Sequence, residues 1–246
     1  MGVEHFDKIA GEYDASLPSH VREHYLRRRA RFLQKAFAKA ASARVEETIS
    51  FLDVGCGTGS LIEAVANRRA VAGYGVDFSQ GMLLIARDKR RCAVVRASAM
   101  QLPFPDGTFD ETFSIALLHH LIQPDAVRAA VREMVRVTRP GGLVVIWDHN
   151  PANPYWPVIM KKVPQDTGEE RLVPADEVVG ALQGCGVSAP RVLKRGFVPE
   201  FAPKVLMPLA VLFERIAEIT PVVRRLSAHN VIIATKDATH VERKES

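Results

Sequence analysis

The run Phe51-Leu-Asp-Val-Gly-Cys-Gly-Thr-Gly59 constrains the fold more than any other part of the chain. A short apolar stretch, residues 49–54, runs into three glycines at alternate positions. A helical pattern through Leu61, Ile62, Val65 and Ala66 leaves them. A buried strand, a glycine turn and a helix in that order open a βαβ unit. Gly55, Gly57 and Gly59 allow the backbone to turn tightly and to approach a ligand closely. Further strands are expected at 71–76, 93–95, 113–117 and 143–147, with helices near 82–86 and 125–137, the latter stopped by Arg139-Pro140-Gly141-Gly142. Two last strands are expected at 191–198 and 230–235. Strands separated by helical segments predict a mainly parallel, seven-stranded α/β sheet covered by helices on both faces.

The flanks are less regular. Residues 1–19 are polar and turn-rich, with aromatics at Phe6 and Tyr13. A helix is expected over 21–43, where Leu26, Ala30, Leu33, Phe37 and Ala40 form one apolar stripe. Arg22, Arg27, Arg28, Arg29, Arg31, Lys35 and Lys39 read as its solvated face. Pro151, Pro154, Pro157 and Pro164 argue against a long helix after residue 150. A helix from Pro174-Ala175 to about residue 183 is stopped by Gly184, and 201–226 is an apolar helical segment broken at Pro203, Pro208 and Pro221. With 246 residues and 47% hydrophobic side chains, one domain is expected: a helical cap over 1–45, a ligand-binding core over 46–149, and a substrate-side loop, lid helices and last strands over 150–246.

Net charge, +5 from 33 basic and 28 acidic residues, permits an acidic partner without demanding one; beyond the arginine-rich helix there is no strong nucleic-acid signal. Three scattered cysteines, Cys56, Cys92 and Cys185, make neither a disulfide framework nor a zinc pattern, and no metal site is expected. The charged start of the chain does not read as a leader, and the apolar run 205–213, interrupted by Pro208, is too short to span a bilayer. A cytoplasmic protein is expected, monomer or homodimer, with transient contact at a membrane surface an option. Apolar residues from Val205 to Ile219 are too many for one amphipathic face. They fit a helix buried against the sheet or a dimer partner, or a cover over a greasy tunnel flanked by Lys204, Arg215, Arg224 and Arg225.

Two acids sharpen the glycine loop. Asp53 precedes Gly55 by two residues, and Asp77, 18 residues beyond Gly59, is placed to accept both hydroxyls of a ribose. No Gly-Lys-Ser/Thr follows, so a P-loop is disfavoured. The spacing is GxGxG rather than GxGxxG, and Asp53 would crowd a pyrophosphate while suiting an ammonium group. The pattern leans towards a nucleoside bearing an amino acid.

Leu52-Asp-Val-Gly-Cys-Gly-Thr-Gly59 resembles the first motif of class I S-adenosylmethionine-dependent methyltransferases. Val76-Asp-Phe-Ser79 with Met82, then Ala99, Leu102, Pro103 and Phe104 with Asp106-Gly-Thr-Phe-Asp110, are similar to the later ones. Leu118-His-His-Leu121, Arg136-Val-Thr-Arg-Pro-Gly-Gly142 and the opening Phe6-Asp-Lys-Ile-Ala-Gly-Glu-Tyr13 continue the match over residues 5–148. It looks most like the branch acting on quinones of the ubiquinone and menaquinone type and on other small lipophilic metabolites. The resemblance implies a Rossmann-like domain with S-adenosyl-L-methionine as cofactor and S-adenosyl-L-homocysteine as product. Gly55, Cys56, Gly57, Thr58 and Gly59 would lie beneath it, Asp53 near its amino-acid end and Asp77 at the ribose. Phe78, Met82, Ser98, Ala99 and Met100 would bound the adenine, with Leu117 near the sulfonium. Ala97-Ser98-Ala99 stands where the family commonly has Gly-Asp-Ala, so a neutral hydroxyl replaces the carboxylate near adenine N6.

Methyl transfer needs alignment, and an oxygen nucleophile of high pKa also needs a base. The candidates are His119, His120, His149 and Tyr13, with His20 and Asp148 less direct. Asn150-Pro-Ala-Asn-Pro-Tyr155-Trp superficially resembles the box of amino-directed nucleic-acid methyltransferases but follows the fifth strand rather than the fourth, and reads as a substrate-side loop. Three functions stay open: methylation of oxygen or carbon on a small, aromatic or lipid-like acceptor; methylation of RNA or protein; or a catalytically weak cofactor-fold binding protein.

Overall fold

The computed structural model describes residues 2–41, 48–66, 71–160 and 165–238. Along the chain run α1 (Gly2–Ile9), α2 (Ser19–Ala41), β1 (Ile49–Val54), α3 (Ser60–Ala66), β2 (Val71–Asp77), α4 (Gln80–Arg90), β3 (Ala93–Arg96) and β4 (Phe109–Ile115). There follow α5 (Pro124–Val137), β5 (Thr138–His149), α6 (Trp156–Ile159), α7 (Ala175–Gln183), β6 (Val187–Arg195), α8 (Met207–Ile219) and β7 (His229–Lys236). The strands form one sheet in the order β3-β2-β1-β4-β5-β7-β6; β1 to β5 are parallel and β7 runs antiparallel to both its neighbours. The expected seven-stranded, mainly parallel Rossmann-like sheet is therefore present. Its order reverses at β1, whose neighbours β2 and β4 send the chain to opposite sides, and a crevice opens there at the carboxyl edge.

Alternation along β1 divides the core. Phe51 faces α2 and α3, where its ring packs 5.4 Å from Phe113 and 5.7 Å from Phe37. Leu52 and Val54 face the other layer, built from Val127, Val131 and Met134 of α5 and Val178 and Leu182 of α7. Each such apolar side chain contributes about 1.5–3 kcal/mol by leaving water. Glu111 is the anomaly. It sits in β4 between Phe51 and Leu143, is 1% exposed, and leaves one carboxyl oxygen without a hydrogen bond. Burial pushes its carboxyl up to about 8, against the pull of Arg139.

Several boundaries differ from expectation. Residues 2–9 form a helix rather than turns, because Asp7 ties them to α4: its carboxylate accepts Ser79 Oγ–H at 2.6 Å and Gly81 N–H at 2.8 Å. β4 starts four residues earlier than 113 and ends before Leu117, since the polar Asp110 and Thr112 find partners inside: Arg139 and Ser50 for the acid, Thr138 for the hydroxyl. β5 already begins at Thr138, with a register shift between Phe109 and Glu111 of β4 that accommodates Pro140 to Gly142. β6 begins at Val187, around a bulge where Ala189 takes a positive φ of 45°. The expected end of α2, residues 42 and 43, lies outside the described residues.

α8 departs furthest from a buried helix. Leu209, Leu212, Phe213, Ile216 and Ile219 face solvent, Ile219 at 77% exposure, while Glu214 is buried. Glu214 seats the helix on α2: it pairs with Arg28, takes His24 Nε2 at 3.0 Å and accepts Phe197 N–H at 2.9 Å. Arg28 also pairs with Glu218. No helix among the described residues is long and apolar enough to cross a membrane.

Candidate active site

The site grows from the turn after β1. Gly55, Gly57 and Gly59 take φ values of 79°, 52° and 78°, a region that disfavours any side chain. Gly55 and Cys56 N–H both donate to Val76 O, at 2.8 and 3.0 Å, which ties the loop to the end of β2. Asp77 completes the tie: its Oδ2 accepts Gly57 N–H at 2.8 Å and its Oδ1 accepts Ser79 N–H at 2.9 Å. A Cβ on Gly55 would stand 2.9 Å from Leu117 Cδ1, so the loop and the turn after β4 touch.

Two cavities flank this loop. One, of about 350 Å³, is walled by Asp77, Phe78, Met82, Ser98, Ala99, Met100, Leu117 and His120, with Phe6 and Tyr13 from the N-terminal segment. The other, of about 360 Å³, is walled by Asp53, Cys56, Thr58, Arg22, Tyr25, Arg29 and Gln165. Gly55, Gly57, Tyr13 and Ile115 border both. Phe78 and Met100 are half-exposed, an open apolar slot, and Ser98 Oγ accepts Met100 N–H at 3.2 Å. Gly59 lines neither cavity; it packs against Ala86 and Cys92 at the start of α3.

The N-terminal segment is latched at two points. Asp7 holds α1 to α4, as above. Asp14 accepts Thr58 Oγ1–H at 2.8 Å and pairs with Arg90. Phe6 and Tyr13 hang from these latches into the cavities.

Burial pushes Asp53 well above the usual carboxylate range, with the Asp77 charge adding to it and Arg29 opposing. Asp77 is also raised by burial, against the pull of its backbone N–H partners. Burial and the Asp77 charge push the Tyr13 phenol up to about 12, so it faces the cavities as a neutral hydroxyl. Burial lowers His120, and the neighbouring His119 charge lowers it further. For His119 burial works the other way from its partners, and Asp148, then Asp166, win: its pKa is lifted to about 9.

Of the four expected catalytic candidates, only Tyr13 and His120 reach a cavity wall. His119 and His149 are buried behind it, and neither lines a cavity. His149 packs 3.7 Å from the Trp156 ring and 4.1 Å from His119, with its Nδ1 unpartnered; burial holds it well below the usual imidazole range. His20 bonds Ala202 O at 2.7 Å and faces a groove between α2 and α8 instead. Asp148 accepts His119 Nδ1–H at 2.8 Å and the N–H groups of Leu118 and His149. Tyr155 and Trp156 wall neither cavity beside the loop.

Arg29 was missed. The sequence places it on the solvated face of α2, yet its guanidinium lies 5.5 Å from the Tyr25 ring and 5.9 Å from the Trp147 ring and enters the second cavity beside Asp53. The signal was present: Arg22 and Arg29 stand four before and three after Leu26, and so continue the apolar stripe. Glu200 was also missed; half-buried, with its Oε2 buried and unpartnered, it is pushed up to about 7 by that burial.

Residues 52–146 match a family model described as a methyltransferase domain. Over 101 residues the chain is 42% identical to a demethylmenaquinone methyltransferase of Bacillus licheniformis, covering 38% of this chain and 42% of that protein. Over 104 residues it is 36% identical to the methyltransferase GfsG of Streptomyces halstedii, covering 39% and 36%. The chain thus matches less than half the length of these curated relatives. A solved S-adenosylmethionine-dependent methyltransferase of Thermotoga maritima superposes with a TM-score of 0.63 at 19% identity, over 96% of this chain and all of that one, a likeness of fold.

Proposed function

We propose that this chain, built around a class I S-adenosylmethionine-dependent methyltransferase domain, transfers a methyl group from S-adenosyl-L-methionine to a small, lipophilic acceptor. One observation carries most of this: Asp77, at the tip of β2, binds the glycine loop through Gly57 N–H and still faces the cavity lined by Phe78, Met82 and Met100. A carboxylate there takes the ribose hydroxyls, while Phe78, Ser98 and Met100 take the adenine. The Ser98 hydroxyl can serve the adenine amine although it already accepts Met100 N–H, since an oxygen has two lone pairs. Gly55, Gly57 and Leu117 border the methionine side, and Asp53 offers the ammonium group a negative neighbour. The charge of that ammonium favours ionised Asp53 and offsets the cost of its burial.

The second cavity, walled by Asp53, takes the amino-acid end of the cofactor, and the acceptor approaches where the two cavities meet, at Tyr13 and Ile115. Alignment of nucleophile, methyl carbon and sulfur supplies the larger share of the rate. For an oxygen acceptor, the new C–O bond forms as the S–C bond breaks. The sulfonium becomes a neutral thioether, and the hydroxyl proton passes to water. Tyr13 stands at the junction of the two cavities and His120 on the wall of the first, and these are the groups nearest an acceptor entering there. The exposed apolar face of α8, with Lys204 and Arg215 beside the groove it shares with α2, supports a lipid-like acceptor and contact with an anionic membrane surface. The resemblance to a quinone methyltransferase over residues of the core supports the same class.

The test is calorimetric titration with S-adenosylmethionine and S-adenosylhomocysteine, wild type against Asp77→Ala. Losing two charge-assisted hydrogen bonds, each about 1.5–3 kcal/mol, predicts binding weaker by about a hundredfold or more. Absence of binding by the folded wild type sinks the proposal.

A further inference from the structure

We infer that His119, His120 and Asp166 form a binding site for a divalent transition-metal ion, zinc foremost, at the inner wall of the cofactor cavity. One ring nitrogen of each histidine and a carboxylate oxygen of Asp166 lie within 4.8 Å of one another. His120, half-buried, also lines the cavity itself, so the site lies directly behind the wall of the space for ligands.

The hydrogen bonds fix what each group offers. Asp148 accepts His119 Nδ1–H, which leaves His119 Nε2 pointing at Asp166 Oδ1. That separation is 3.7 Å, too long for a hydrogen bond. Two ligands at about 2.0–2.2 Å from one ion stand about 3.0–3.5 Å apart, so a small inward movement closes the site. The Asp166 side chain is only 5% exposed and faces His119 Nε2 across that gap. A carboxylate facing an imidazole nitrogen in a buried place needs a positive charge, which the His119 imidazolium proton supplies in the unloaded protein and a metal ion can replace.

A carboxylate behind a ligating imidazole is how proteins orient such ligands, and Asp148 stands in that place. Glu170 Oε1, 3.6 Å from His120 Nδ1, puts another acid beside the second imidazole; Thr167 N–H fixes that oxygen and Gly168 N–H fixes Oε2. The alternative group, His119, Asp148 and His149, is a poorer site. Asp148 already accepts from His119, Leu118 and His149, so its lone pairs are committed. Two imidazoles and one carboxylate select zinc or iron-type ions over magnesium or calcium and leave open positions. If the proposed function holds, on which this role rests, the ion lies behind His120 on the wall of the first cavity and would acidify a hydroxyl of an acceptor that reaches it there.

The experiment is titration of the untagged, chelator-stripped protein with zinc chloride alone, followed by the visible spectrum of the cobalt(II) form. One equivalent is expected to bind, with Asp166→Asn and His119→Gln each weakening affinity tenfold or more and altering the cobalt spectrum. Thermal melts confirm that each variant is folded; Asp166→Asn, nearly isosteric, guards against collapse of the His119 variant. Absence of saturable zinc binding to the wild type overturns the site, as does affinity unchanged in Asp166→Asn. S-adenosylhomocysteine titrated into the same samples separates the two ideas, since either ligand can fail without the other.

Discussion

Glu111 offers a sharp test of the core, because its protonation is coupled to folding. Its carboxyl ionises near 4.5 in an unfolded chain and is pushed up to about 8 in the fold. Between those values the folded state binds a proton that the unfolded state has lost. Stability from this group therefore falls as pH rises from 4.5 to 8, and is level outside that window. The slope is about 1.4 kcal/mol per pH unit, so at neutral pH the penalty is about 3 kcal/mol, a large share of a typical 5–15 kcal/mol total. Glu111→Gln keeps the shape and removes the titration. Its amide must still sit beside Phe51 and Leu143, so at pH 5 the variant should be no more stable than the wild type. By pH 8 it should be more stable by about 3 kcal/mol relative to that baseline. Urea unfolding at pH 5, 6, 7 and 8 measures this through the midpoint at constant m. A stability difference between the two proteins that stays flat across that range would refute the reasoning.

Two other perturbations address the parts that cover the site. Gly81→Ala places a Cβ 3.0 Å from Asp7 O and 3.1 Å from Ala10 Cβ, so α1 must move while α4 gains a better helix former. Dissociation of S-adenosylhomocysteine, followed by competition in a stopped-flow instrument, should speed up several-fold with the melting temperature nearly unchanged; an unaltered rate would separate α1 from ligand retention. Glu214 resists burial through His24 and Arg28, which hold its carboxyl at about 2. Its contribution is thus complete above about 4.5 and is lost as pH falls towards 2. Limited pepsin digestion in that window should cut around α8 before the rest of the fold opens, and cleavage beginning in the sheet instead counts against an ionic seat.

Much of the cofactor side was legible in the sequence for a physical reason. A loop that needs three residues of positive φ leaves a glycine pattern no other structure requires so strictly, and strands buried on both faces leave apolar runs. The acceptor side was less legible because its signals are tertiary. Arg29 carries a surface residue's chemistry and points inward only because Tyr25 and Trp147 receive it. α8 reads as a core helix by composition, yet Glu214 occupies its buried face, since ion pairs with α2 fix which side turns in. Asp166 and Glu170 lie far from His119 and His120 in the chain, and nothing local marks them as neighbours.

The two latches of the N-terminal segment carry a kinetic consequence. Asp7 and Asp14 join the cap to residues of the helices and loop that surround the cavity, not to the ligand itself. Affinity and residence time are therefore set by different atoms. On the proposed function, Asp77 and the slot walls would set how tightly a nucleoside is held, whereas Ser79, Thr58 and Arg90 would set how often Phe6 and Tyr13 swing clear. Exchange of spent for fresh cofactor would then run at the frequency of latch opening, a quantity that evolution or an engineer can change at the cap without touching the pocket.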